Sequence, residues 1–167
     1  MQGWFGFYST IGGIAATLLG LLFVAVSINA SVILGEAHEN SKRLAEQALQ
    51  NYLAVMMVAL LAIFPRIEIS TFGFATLAVT ALWAAWVLVR LYLALRRPYE
   101  PGLRFQSLRR QVSSLVGFGM LIFAALRMAF DMGDSRNLFA TATIILLFSA
   151  TAVSWELLLG IAKAKPV

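Results

Sequence analysis

Five stretches of this sequence are each long and apolar enough to cross a lipid bilayer, and that property constrains the fold more tightly than any other. They cover residues 10–34, 44–64, 71–95, 111–130 and 138–162. An α-helix rises about 1.5 Å per residue, so about 20 apolar residues traverse the hydrocarbon core. Lipid offers the backbone no hydrogen bonds, which leaves helices to satisfy their own N–H and C=O groups. The predicted fold is therefore all-α: an integral membrane helical bundle of five transmembrane helices, a single domain over residues 1–167. Four spans is the alternative, because the fourth stretch carries Arg127 with Gly117 and Gly119 and so admits a tilted or re-entrant path. Composition agrees: 60% of residues are hydrophobic, 13% are charged and the mean hydropathy is +0.83, against about 25% charged in soluble domains.

The connections are short and built from helix-breaking or charged residues. Residues 35–43 are polar, 65–70 contain Pro65 and charges, 96–110 are basic with Pro98, Pro101 and Gly102, and 131–137 are charged. No long linker, low-complexity tract or transporter-like repeat is visible. Residues 1–10 carry no Lys or Arg and the first apolar stretch exceeds a signal-peptide core, so the first helix is expected to remain in the mature protein. The sequence has no cysteine, which excludes disulfides, thiolate nucleophiles and cysteine-based metal sites.

Charge placement orients the bundle. With five spans, Lys42, Arg43, Arg96, Arg97, Arg104, Arg109, Arg110, Lys163 and Lys165 fall on one face. The other receives Arg66 and Arg136, with Arg127 nearby. The positive-inside rule makes the first face cytoplasmic, which puts the N-terminus outside and the C-terminus in the cytoplasm. A four-span chain would carry Lys163 and Lys165 to the charge-poor side.

This orientation gathers polar residues at one depth in the cytoplasmic half: Asn29, Gln47, Gln50, Asn51, Arg90, Ser113, Ser114 and Glu156. A charge in a span costs about 2.5 to 3.5 kcal/mol at the helix centre, so it pairs or faces a cavity. Arg90 and Glu156 are expected to form an ion pair flanked by the amides. The layer then serves either as interhelical glue, with Arg90 snorkelling to the headgroups, or as a vestibule where Glu156 binds protons or cations. In the first helix Gly13, Thr17, Gly20, Val24, Ser27 and Ser31 advance by helical steps. Gly12, Ala16 and Gly20 lie beside them in a second small-residue register. Small residues let membrane helices approach closely, so this helix is expected to be a central packing element, within one chain or between copies.

Arg96, Arg97, Arg104, Arg109 and Arg110 crowd one loop, with Phe105, Leu108, Val112 and Leu115 at helical spacing. They set topology, and as an amphipathic stub they would also meet anionic lipid headgroups. No aromatic interleaving or known module points to nucleic acid. Arg127 stands four residues before Asp131, the spacing of a helical ion pair, with a charged pore ring as the alternative. His38, beside Glu36 and Glu39, reads as part of a solvated loop rather than a metal site. No nucleophile and base pair and no phosphate-binding glycine loop can be assembled, and no cofactor is expected.

Residues 12–29, GGIAATLLGLLFVAVSIN, combine a small-residue run, a Gly-Leu-hydrophobic-Phe-Val core and a closing Ser-Ile-Asn. This pattern resembles the first helix of small bacterial membrane proteins known as modulators of the FtsH membrane protease. Residues 43–49, RLAEQAL, and the apolar helix ending at Pro65 look similar as well; beyond the second helix the likeness is loose. The family's last helix runs from an aromatic start through leucines to a Glu. Here Trp155 and Glu156 are adjacent and Gly160 follows the leucines, so no role is carried onto Glu156. The resemblance implies an accessory protein acting on a membrane protease. Together these features predict a non-enzymatic, multi-pass protein of the bacterial inner membrane, an accessory or regulatory subunit. A homo-oligomeric ion channel or small transporter is the alternative.

Overall fold

The computed structural model describes residues 4–33, 39–64, 68–96, 101–133 and 135–164. Their order is α1 (Phe5–Ile28), a single turn α2 (Ala30–Ile33), α3 (Glu39–Ile63), α4 (Ile69–Arg96), α5 (Pro101–Ala129) and α6 (Arg136–Ala164). The fold is all-helical over these residues, and α1, α3, α4 and α6 each contain a stretch long and apolar enough to cross a membrane. The apolar part described for α5, Ser114–Ala129, is shorter.

Two boundaries depart from the sequence reading. The first helix ends at Ile28, because the Asn29 carboxamide donates to Ala25 O at 2.9 Å while its backbone N–H bonds the same carbonyl at 3.2 Å. One side chain thus caps the helix it sits in, and the single turn α2 that follows buries Ile33. The basic segment 101–110 continues into α5 without a break, so the anticipated stub is the first part of that helix. Pro101 suits its first position, where the missing N–H costs nothing.

The helices pack in the spatial order α1, α3, α6, α5, α4, with a smaller contact between α3 and α4. The start of α1, the end of α3, the start of α4, the end of α5 and the start of α6 meet at one end. Tyr8 there packs edge-on to Phe139 at 6.4 Å and Phe139 lies 5.1 Å from Phe72. A second apolar cluster of Leu22, Ile33, Leu44, Ala48, Tyr52, Val153 and Leu157 fills the opposite end.

Within a single chain, α1 is not the central packing element. It packs chiefly on α3 and buries only Tyr8, Ile11, Ala15 and Leu22. Gly13, Thr17 and Gly20 face outward, and a Cβ added to Gly13 or Gly20 meets nothing within 4 Å. The reason is rotational: the large residues Tyr8, Ile11 and Leu22, with Ala15 on the same side, choose the buried stripe, and the small stripe falls on the opposite side. Close approach occurs at other glycines. A Cβ on Gly12 would lie 2.9 Å from Ala59 Cβ on α3, one on Gly73 2.5 Å from Ala129 N on α5, and one on Gly117 2.7 Å from Leu146 on α6.

Candidate functional site

Between the two apolar clusters, three helices meet through uncharged polar side chains. Asn51 on α3 and Ser114 on α5 are each 1% exposed, and Ser149 on α6 is 8% exposed. The Asn51 amide donates to Ser114 Oγ at 2.8 Å and to Ser149 Oγ at 3.4 Å, and Gln47 Nε2 donates to Ser114 Oγ at 3.1 Å. The two serine oxygens lie 3.3 Å apart. A hydroxyl oxygen has two lone pairs and one proton. With both Ser114 lone pairs engaged by amide N–H groups, Ser114 is the donor to Ser149. The cluster is therefore directional, and the lone pairs of Ser114 Oγ point at protein donors.

Next to it, Tyr52 donates to Thr151 Oγ1 at 3.3 Å, and Ser154 shares its proton between Ala150 O at 2.9 Å and the Tyr52 hydroxyl at 3.4 Å. This second contact joins α3 to α6 again. Alanines at 48, 54 and 150, all fully buried, permit the close spacing these short side chains need.

The polar layer read from the sequence thus divides. Gln47, Asn51 and Ser114 come together. Asn29 lies apart, capping its own helix, and its Oδ1 is buried with no partner among the described residues. Gln50 is half-buried one position before Asn51, about 100° around the helix. Glu156 is half-buried on α6 between Val153 and Leu157. The side chains of Arg90 and Ser113 lie outside the described residues, as do those of Arg96, Arg104, Arg109 and Arg110; Arg97 and His38 lie outside them entirely. The Arg90 and Glu156 pairing therefore falls outside the described contacts. Ser149, Tyr52, Thr151 and Ser154 were not anticipated. Ser149 precedes Glu156 by seven residues, two helical turns on the same face, which was the signal available.

At the aromatic end the expected Arg127 and Asp131 pair is also corrected. Met132 N–H bonds Arg127 O at 2.8 Å and Asp131 N–H bonds Met128 O at 3.4 Å, the two bonds of a Schellman ending. Asp131 adopts φ 52°, so helical i,i+4 geometry stops before it. The Arg127 guanidinium donates instead to Met132 O at 2.9 Å. No protein-family model matches this sequence, and no characterised protein or solved structure shows significant similarity to it.

Proposed function

We propose that this chain is a non-enzymatic five-span protein of the bacterial cytoplasmic membrane, with its N-terminus outside and its C-terminus inside, acting as an accessory or regulatory subunit of a larger membrane complex. The observation that supports this reading is the mutual bonding of Asn51, Ser114, Ser149 and Gln47. A cation path needs oxygen lone pairs turned toward the ion, whereas both lone pairs of Ser114 accept amide protons. Side chains satisfied in this way hold helices in register. The arginines of residues 96–110 suit anionic headgroups on the cytoplasmic side, and the first two helices' resemblance to protease modulators makes a membrane protease the leading partner class.

Self-association is the second reading, favoured by the open face of α1 at Gly13, Thr17 and Gly20. Extraction in a mild detergent followed by mass measurement separates the two. One or two copies associated with other polypeptides fit the accessory role. A ring of identical chains with no other subunit overturns it.

A further inference from the structure

Arg127 is a permanent cation beside exposed apolar side chains. It occupies the last turn of α5, within the final residues of that helix's apolar stretch, Ser114–Ala129. Its guanidinium carbon lies 6.0 Å from the ring centroid of Phe123, which is 54% exposed, and the chain just beyond presents Phe130 and Met132 at 62% and 63% exposure. Of the five N–H donors of a guanidinium, one hydrogen bond is made among the described residues, to Met132 O. Nε is buried there without an acceptor. Asp131, the acid that spacing would supply, is carried out of helical register by its positive φ.

A cation set among exposed apolar side chains requires an anion, and at the edge of a bilayer the anion in reach is the phosphodiester of a lipid. The bond from Nη2 to Met132 O fixes the guanidinium plane and the Phe123 ring supports its face, leaving Nη1 to meet a phosphate oxygen. We infer that Arg127 is the headgroup contact of a phospholipid site on the aromatic end of the bundle, with Phe123 and Phe130 bordering the acyl chains. This face is opposite to the arginine-rich one, and the inference does not depend on the accessory role.

Native mass spectrometry of the detergent-solubilised protein, titrated with phosphatidylglycerol or with a monoglucosyl diacylglycerol of the same acyl chains, tests it. Arg127→Gln should lose one phosphatidylglycerol binding step, an affinity drop of about tenfold, equivalent to about 1.4 kcal/mol. It should leave binding of the phosphate-free lipid unchanged. Phe123→Ala, a change at an exposed position that keeps the fold, should weaken the same step severalfold. Equal phosphatidylglycerol binding by wild type and Phe123→Ala, or by wild type and a folded Arg127→Gln, overturns the site. So does filling of the step by the glycolipid, or its displacement by millimolar inorganic phosphate.

Discussion

The Asn51 amide of α3 donates to Ser114 Oγ of α5 at 2.8 Å, across 63 positions of sequence. Ser149 of α6 lies within reach of both partners, so one carboxamide ties three helices at a depth where lipid supplies no alternative partner.

That contact predicts a measurable coupling. Asn51→Ala removes one buried donor from each serine oxygen and should lower stability by about 1 to 3 kcal/mol. A double-mutant cycle with Ser114→Ala should give a coupling energy between about 0.6 and 1.7 kcal/mol, the range found for interhelical bonds in membranes. Unfolding in mixed micelles reads both quantities. Additive single changes would show that the bond contributes nothing.

The glycines should separate by sign. Gly73→Ala drives a Cβ into the α5 backbone at Ala129 and should destabilise the bundle by about 2 kcal/mol, within the range for overpacking. Gly13→Ala and Gly20→Ala meet open space and should be neutral or stabilising by up to about 1 kcal/mol through helix propensity. Thermal unfolding of the three single variants is the measurement. A large loss at Gly13 or Gly20 would instead reveal a partner on that face.

At the end of α5, Asp131 holds the left-handed position that glycine prefers. Asp131→Gly should raise stability by about 1 kcal/mol, and Asp131→Val should lower it by at least as much. Chemical unfolding at matched detergent concentration compares them. If glycine destabilises, the Schellman ending does not limit this helix.

Much of this architecture was legible because lipid simplifies the code: long apolar runs become helices, and all five appear near their expected places. Asn51 and Ser114 were legible because an amide amid apolar residues needs a partner. Ser149 was not, since a lone serine can satisfy itself on its own helix, as Thr143 does on Phe139 O. Between the Gly13 and Gly12 registers, about 100° apart, spacing alone does not decide which one faces α3, because a small-residue stripe has no built-in direction. The bulky Tyr8 and Ile11 decide it, through the α3 surface they fill. Arg127 was placed with Asp131 by helical spacing, which fails once the backbone leaves the helix at φ 52°.

The swap Arg90→Glu with Glu156→Arg addresses the remaining pair of charges. If they attract each other, the double variant should be more stable than either single one, by about 1 kcal/mol or more, with unfolding in micelles as the readout. Equal or lower stability of the double variant would mean that the two charges act independently.

The sealed character of the polar cluster is open to a direct probe, because the sequence contains no cysteine. Ser114→Cys places one thiol at the junction of α3, α5 and α6 with little change in volume. In sealed proteoliposomes that thiol should resist a membrane-impermeant methanethiosulfonate applied from either side, and should react once the protein is unfolded. Rapid modification in the folded protein would reveal a water-filled path through Asn51, Ser114 and Ser149, and would contradict a layer that works by joining helices.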